Sequence, residues 1–247
     1  MMIIELTNRS ILLVDGIDAG SFLLRVTTNS IKQNGLTYSA ILTPKGIVVN
    51  DFFIFAQEEW FAIDCNTACL EELVSLLTMY KLSSKVAVRC ADEFVVFSSE
   101  NMVDGALCCY ADPRSSAMGY RLLVNRGSAA SFLVDASIDD YDCKRIEHFI
   151  PEVCKDILPN THYPFDYGLD FINCIDFNKG CYIGQEVTCM MKYRKKRCKR
   201  LCIVKGVGFP KAGEILLLNG SKVGIMGSNV GGVGLALIEI ALINGRP

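Results

Sequence analysis

One short stretch of this sequence combines residue types that could do chemistry. Residues Lys179–Glu186 read KGCYIGQE, so that a thiol is preceded by a lysine and bracketed by two glycines. Glycines allow positive φ or close backbone approach, which predicts a tight turn leading into a helix from about Tyr182. A nearby ammonium group and a helix N-terminus would both favour the reactive thiolate. Two interpretations stay open from the residues alone: a reactive Cys181 supported by Lys179, or a buried Cys181 in a turn.

The other cysteines give little sign of a metal or disulfide framework. The 247 residues contain 12 cysteines but only two histidines. Zinc sites usually need C-x2-C pairs or histidines. The closest spacings are instead Cys65-x3-Cys69, Cys108-Cys109 and Cys198-x3-Cys202. We therefore predict no resident metal, and reduced cysteines that, Cys181 apart, pack as small apolar side chains.

Composition and patterning narrow the class of protein. A hydrophobic content of 51% and a net charge of −2 exclude a disordered chain. The sequence has no run of 18 apolar residues, which predicts no transmembrane helix and no membrane partner. The opening MMIIELTNRS lacks the apolar region of a secretory signal. From these features we expect a cytoplasmic protein.

A basic run follows the KGCYIGQE stretch. Seven cations lie within the nine positions of Lys192–Arg200. The rest of the chain is acidic, so the small net charge of the whole chain conceals one strongly basic segment. Such a run is often a solvated face, but it could also bind a polyanion such as tRNA, the polyglutamate tail of a folate, or an acidic protein.

The elements that must position these residues indicate an α+β fold with mainly antiparallel sheets. Apolar runs and turns alternate as strand, helix, hairpin, strand, helix and hairpin over the first hundred residues. The predicted helices are Ala19–Val26, Ala68–Tyr80 and Ser137–Phe149, and the predicted hairpins turn at Thr43–Gly46 and between Lys85–Cys90 and Phe94–Ser98. Short apolar runs separated by glycine turns then predict a small β-barrel domain over residues 197–247.

Several segments together resemble one known family. The stretch KGCYIGQE is similar to the signature of the YgfZ-like proteins, folate-binding relatives of the glycine-cleavage T-protein, an aminomethyltransferase. Other segments agree with that family in order and spacing over nearly the whole chain. They are Arg9–Ala19 with Phe22-Leu23, Thr27–Asn29, Thr43–Gly46 leading to Asp51, Arg145-Ile146 with Ile150–Glu152, and Tyr163-Pro164.

The resemblance implies a fold and a cofactor. It implies two α+β lobes within residues 1–196 and the barrel over 197–247, around an opening where tetrahydrofolate or a derivative binds. The residues implied to act in catalysis are Cys181, Lys179 and Asp51. The residues implied to bind folate are Asp51, Asp166, Tyr182, Gln185, Glu186 and Arg145.

Three positions depart from the family pattern. Asn50-Asp51 stands where the T-protein has two acidic residues, Asp166 replaces the usual glutamate, and Met190 replaces an arginine. The shorter Asp166 carboxylate would weaken a pterin contact. Lys192 or Arg194 could substitute for the missing arginine.

The leading functional prediction is a folate-binding accessory protein in iron–sulfur cluster assembly or repair. Its effects would extend to cluster-dependent enzymes, including those that modify tRNA, and its partners would be iron–sulfur proteins or assembly factors. Cys181 would transiently engage a cluster, a persulfide or a partner thiol. A one-carbon transferase of the aminomethyltransferase type is the alternative, which Asn50 disfavours, and an RNA-binding module is a further one.

Overall fold

The computed structural model describes residues 2–193 and 198–243, with side chains described as far as residue 241. Within these residues the strands form three antiparallel sheets with helices packed against them. The α+β class with mainly antiparallel pairing, predicted from the sequence, is confirmed. None of the described helices is long and apolar enough to cross a membrane.

The first sheet has five strands and carries two helices on one face. Its strands, in spatial order, are β3 (Gly35–Leu42), β4 (Val48–Ala56), β5 (Trp60–Asn66), β2 (Arg9–Asp15) and β6 (Ala87–Cys90). Helices α1 (Ala19–Val26) and α2 (Leu70–Lys81) bury their apolar sides on this sheet together with Leu12 and Val14 of β2. Both sheet faces are covered, because Ile11 and Leu13 enter the larger core cluster on the opposite side.

The second sheet draws on distant parts of the sequence. Its strands, in spatial order, are β1 (Ile3–Glu5), β7 (Phe94–Ser99), β9 (Tyr120–Asn125) and β8 (Cys108–Ala111). Helix α3 (Ile138–Glu147) follows, and Ser137 and Asp140 form a capping box at its start.

The predicted hairpin of β6 and β7 is wrong. The two strands belong to different sheets, because β6 pairs with β2 whereas β7 pairs with β1 and β9. Two short apolar runs separated by a turn fit a hairpin locally. The alternative partners come from remote parts of the sequence, which the local pattern does not reveal.

The third sheet follows α4 (Gln185–Tyr193) and ends in the short α5 (Ile240–Ile243). Its strands, in spatial order, are β10 (Lys199–Lys205), β13 (Val233–Glu239), β12 (Ser221–Val230) and β11 (Ile215–Leu218). The sequence pattern missed β12, because its glycines and polar residues have low strand propensity. Gly224 is needed there because an added Cβ would lie 2.3 Å from the carbonyl oxygen of Leu237.

A buried network of charged side chains joins the first two sheets to the segment after α3. Arg9 of β2 and Arg121 of β9 both donate to Asp64 of β5, whose side chain is inaccessible to solvent. Arg114 donates to Glu152 at 2.9 Å, and the guanidinium group of Arg9 lies 4.0 Å from the same carboxylate. These cations hold the pKa of Glu152 well below its usual value, against the opposing effect of burial.

The same segment is tied to the third sheet through Arg145. The buried guanidinium of Arg145 donates to Asp156 at 2.5 Å and to Ser228 of β12 at 2.6 Å. Asp156 in turn accepts hydrogen bonds from the backbone and the hydroxyl group of Ser228. The segment from Ile150 to Asp156 therefore contacts strands of the first and third sheets, and it reaches the loop after β8 through Arg114.

A disulfide strengthens this junction. Cys69, just before α2, is bonded to Cys154 in the loop after Glu152, at a sequence separation of 85. The expectation that both cysteines are reduced and serve only as packing is wrong for this pair. Sequence spacing did not reveal it, because the fold brings the two thiols together from distant segments.

Removal of this crosslink should lower the free energy of unfolding. In the chain-entropy description, closing a loop of this length lowers the entropy of the unfolded chain and so stabilises the fold by about 4.6 kcal/mol. We therefore expect Cys154→Ser to lower the urea midpoint under oxidising conditions, and added dithiothreitol to lower that of the wild type similarly. Cys90→Ser, at an exposed free cysteine, is the matched control. Equal midpoints for Cys154→Ser and Cys90→Ser would contradict the assignment.

Candidate functional site

The KGCYIGQE stretch forms a loop that presents Cys181 to solvent. Cys181 is exposed, whereas Tyr182 beside it is buried in the core. Helix α4 begins at Gln185, three residues later than predicted. The delay has a local cause, because Gly184 has a φ of +83° and the backbone N–H of Gln185 donates to the carbonyl of Tyr182 at 3.2 Å.

Lys179 points away from the role predicted for it. Its ammonium group donates to the carbonyl oxygens of Leu24 at 2.9 Å, Thr27 at 2.6 Å and Asn29 at 3.0 Å. The last carbonyls of a helix have no intrahelical partner, and a cation at the C-terminus of α1 is favourable. An ammonium group has three protons, so these acceptors use them all. Burial lowers the pKa of Lys179 to about 8.

Gln185 closes the loop from its other end. Its side-chain amide donates to the carbonyls of Lys179 at 3.3 Å and Gly180 at 3.4 Å. The ring of Tyr182 lies beneath the loop, with its centroid 5.3 Å from the ammonium nitrogen of Lys179. The side chains on both sides of Cys181 therefore point inward while the thiol lies outside.

The segment that precedes the loop is fixed by residues after α1. Thr28 donates through its hydroxyl to the carbonyl of Cys174 at 2.7 Å and accepts through its own carbonyl from the backbone of Asp176 at 3.0 Å. Asn29 donates to the carbonyl of Asn173 at 2.6 Å. The Thr27–Asn29 motif therefore supports the approach to Cys181.

The start of α4 packs on the hairpin between β3 and β4. An added Cβ at Gly184 would lie 2.6 Å from the carbonyl oxygen of Thr43, and one at Gly46 would lie 3.1 Å from the side chain of Val187. Both glycines have positive φ. Three separate sequence motifs thus meet to form the support of one exposed thiol.

An open cavity of about 520 Å³ lies beside Cys181. Its lining residues are Leu24, Arg25, Ser30, Lys179, Gly180 and Cys181. Arg25 donates one hydrogen bond to Ser84 at 3.0 Å. The wall therefore combines a thiol, a guanidinium group and an apolar surface.

A second cavity, of about 390 Å³, contains Asp166 in its wall. Its other lining residues include Arg114, Phe165, Tyr167, Phe171 and Arg200. The turn Pro164–Asp166 is a single helical turn, and Asp166 accepts a hydrogen bond from the backbone of Tyr163 at 3.3 Å. The sequence pointed to Asp166 here and to Arg200 as the end of the basic run, but not to the aromatic residues flanking Asp166, which were a usable signal of a ring-binding wall.

Asp51 lies in the interior and lines neither of these cavities. It is 1% exposed, and its oxygens accept from the hydroxyl of Tyr38 at 2.6 Å and the backbone of Val153 at 3.2 Å. Burial raises the pKa of Asp51. Contact with a ligand would require these bonds to break, so the structure does not assemble Asp51 with Cys181.

The remaining predicted folate contacts are also spread over different places. Arg145 is buried in the ion-pair network, and Glu186 is exposed on α4. Tyr182 and Gln185 belong to the Cys181 loop. Only Asp166 of the predicted set lies on the aromatic cavity, and the catalytic and binding roles of all these residues, Asp166 included, stay predictions.

The basic run is only partly described. Residues 194–197 lie outside the described residues. The ammonium of Lys192 lies 3.8 Å from the ring centroid of Phe177, and that of Lys199 lies 3.0 Å from Nε2 of His162. Arg200 lines the aromatic cavity. Lys192 therefore lies over an aromatic ring, Lys199 lies beside a histidine, and Arg200 lies in the wall of a cavity. Met190, where the family has an arginine, is 50% exposed.

No group of three or more His, Cys, Asp or Glu side chains that could hold a metal comes together among residues 2–193 and 198–243. Cys181 by itself offers one sulfur ligand, and no such group of three or more forms around it within that part of the chain.

The architecture defines the class of protein. The chain resembles the glycine cleavage system aminomethyltransferase T from Bartonella henselae with a TM-score of 0.75 and 17% sequence identity, covering 97% of this chain and 78% of that one. Residues 198–247 match the CAF17 C-terminal beta-barrel domain family. The predicted T-protein-like fold with a C-terminal β-barrel is confirmed.

Relatives identify the family within this class. The iron–sulfur cluster assembly factor IBA57 of Mus musculus is 30% identical, covering 98% of this chain and 78% of its own length. The Neurospora crassa homologue is 33% identical over 81% of this chain. The chain spans 53% of the length of that relative. The chain belongs to the IBA57 family.

The prediction of a cytoplasmic protein is wrong. The relatives from Neurospora crassa, Mus musculus and Homo sapiens are all mitochondrial proteins. The prediction rested on the lack of a secretory apolar region, a criterion that does not test for mitochondrial import, which uses amphipathic, arginine-rich segments.

The two glycines around Cys181 allow a matched test of the loop. Gly184→Ala should disturb it, because Cβ would approach the Thr43 carbonyl and φ is positive, a conformation that costs about 1–3 kcal/mol. Gly180→Ala should be tolerated, because nothing lies within 4 Å of its added Cβ. Urea unfolding and the alkylation rate of Cys181 measure the effects. Equal behaviour of the two variants would show that the loop is not held at Gly184.

Proposed function

We propose that this protein is an accessory factor in iron–sulfur cluster assembly or repair and that Cys181 is the residue that engages the cluster or its sulfur. Membership of the IBA57 family supports the first part. The exposed thiol in a loop with inward-facing neighbours supports the second. The observation that carries the proposal is this presentation of Cys181 by three motifs.

The chemistry of a single thiol suits transient contact. The Cys181 thiol would lose its proton to solvent, and the resulting thiolate would donate an electron pair to a cluster iron. A stable cluster needs about four such ligands in total, so the others would come from an iron–sulfur protein or assembly factor. Persulfide or partner-thiol contact at Cys181 remains part of the same proposal.

Replacement of the thiol tests this role. In cells that lack the endogenous protein, Cys181→Ser should fail to restore the activity of cluster-dependent enzymes, because an alcohol is a poor iron ligand. Cys198→Ser, at another exposed cysteine, should restore it like the wild type. Full restoration by Cys181→Ser, with both proteins equally abundant, would refute the role of the thiol.

The aromatic cavity fits the chemical groups of a folate. A carboxylate such as Asp166 suits the adjacent N–H donors of a pterin, Phe165 and Tyr167 suit its rings, and Arg200 suits the glutamyl carboxylates. A bound tetrahydrofolate would act either as a carrier of one-carbon groups or as a ligand whose presence the protein senses. The cavity volume falls in the range of small-molecule sites.

Folate binding is tested by titration of tetrahydrofolate with calorimetric detection. Asp166→Asn should weaken binding by about tenfold or more, because a charged hydrogen-bond acceptor is lost. The matched control is Asp104→Asn, at an exposed carboxylate that lies outside this cavity. No binding to the wild type, or equal affinities for both variants, would remove the aromatic cavity as the folate site.

The other functional predictions have less support. Aminomethyl transfer at Asp51 is disfavoured by the burial of that carboxylate and by Asn50 beside it. Binding of tRNA or another polyanion at Lys192–Arg200, and effects on tRNA modification, stay predictions. The narrower YgfZ-like assignment is also kept as a proposal, on the strength of the KGCYIGQE stretch.

A further inference from the structure

The contacts of Lys179 suggest a task different from activation of the thiol. Lys179 lies two residues before Cys181, and its ammonium group is bound to carbonyls near the end of α1, about 150 residues earlier in the sequence. Gln185 returns from the far side of Cys181 to the carbonyl of Lys179 itself. Lys179 therefore closes the loop around Cys181 through its carbonyl oxygen and attaches that loop to the end of α1 through its ammonium group.

We propose that Lys179 is a positioning residue that fixes the Cys181 loop on the C-terminus of α1, so that the thiol meets a protein-bound cluster at a constant place. This inference rests on the function proposed above and assigns the recognition step within it. The partner is a protein that carries an iron–sulfur cluster. A fixed loop matters for such a large partner, whereas a small thiol reagent can reach an exposed side chain whether or not its loop is held.

The bonding pattern favours positioning over electrostatic support. Three carbonyl oxygens lie within 3.0 Å of the ammonium nitrogen, which gives one acceptor for each of its three protons. Hydrogen bonds from a charged donor are roughly twice as strong as neutral ones, and the unpaired carbonyls at a helix end suit them. A lysine that supported the thiolate would instead keep a proton directed at sulfur.

The surroundings explain why the attachment must be firm. Cys181 is exposed and borders an open cavity, so its side of the loop faces open space within the described part of the chain. Gly180 adds no side chain and has no neighbour within 4 Å of its added Cβ position. Anchoring therefore comes from beneath, through Lys179, Gln185 and the buried Tyr182.

The two roles of Lys179 make different predictions for Lys179→Met. If Lys179 positions the loop, amide hydrogen exchange at residues 180–184 should rise, while the pH midpoint for alkylation of Cys181 by iodoacetamide stays as in the wild type. If Lys179 supports the thiolate, that midpoint should move up. One pH unit corresponds to about a tenfold change in the thiolate ratio.

Cluster-dependent function should fall in the positioning variant although the thiol remains. A displacement of about 1 Å at a reacting group can lower a rate about a hundredfold, so restoration of cluster enzymes by Lys179→Met should be strongly reduced. Lys179→Arg retains a charge and N–H donors and should restore part of the loop protection and part of the activity. Lys211→Met, at an exposed lysine of the barrel domain, is the control and should behave as the wild type.

The experiment combines exchange, alkylation and complementation on the same proteins. Higher exchange at 180–184 with an unchanged alkylation midpoint supports positioning, whereas unchanged exchange or a raised midpoint overturns it. If Lys179→Met does not fold, Gln185→Met removes the opposite attachment and should give the same pattern. Raised exchange alongside full complementation by Cys181→Ser would leave the positioning of the loop intact and refute the proposed function instead, so the two failures are distinct.

Discussion

The fold depends on the need to pair charges that are buried between its sheets. Glu152 accepts hydrogen bonds from Arg114 and Tyr141, and Arg9 and Arg121 share Asp64. An unpaired charge left in such a place costs about 3–5 kcal/mol, so each partner must come from the correct segment in the correct register. The buried charge pairs therefore favour this arrangement of the first sheet, the second sheet and the segment after α3.

The interior and the exposed site follow from that arrangement. Val153, next to Glu152, donates to Asp51, and Cys154 forms the disulfide to the start of α2. The carboxylate of Asp51, at a position that resembles the acidic pair of the T-protein, is here buried and accepts hydrogen bonds from Tyr38 and Val153. The thiol that we propose to engage the cluster lies elsewhere, at Cys181, on a loop held by the end of α1 and by the β3–β4 hairpin. A thiol so placed suits transient contact with a protein partner, which agrees with an accessory role better than with aminomethyl transfer.

Local features were predictable wherever a short segment determines its own structure. Helix α1 has the predicted bounds, and the Thr43–Gly46 turn forms its expected hydrogen bond, because spacing and turn residues act within a few positions. Errors arose where distant partners decide. The separation of β6 from β7 and the Cys69–Cys154 disulfide both depend on segments far away in sequence. Strand β12 is a different case, because it pairs with its sequence neighbours β11 and β13 and was missed for its low strand propensity. Asp166 was identified from its motif, but the aromatic cavity around it was not, since its walls come from several elements.

The sequence by itself determined the residues of the site, the glycines that allow its turn and the family to which they point. Only the tertiary structure decided which way those residues face. Lys179 lies beside Cys181 in sequence, yet its ammonium group binds carbonyls contributed by α1 and the residues after it, because an unpaired helix end is a better partner for a cation than a neighbouring exposed thiol. No local sequence pattern reveals these contacts, because the carbonyl acceptors lie about 150 residues from Lys179 in the sequence.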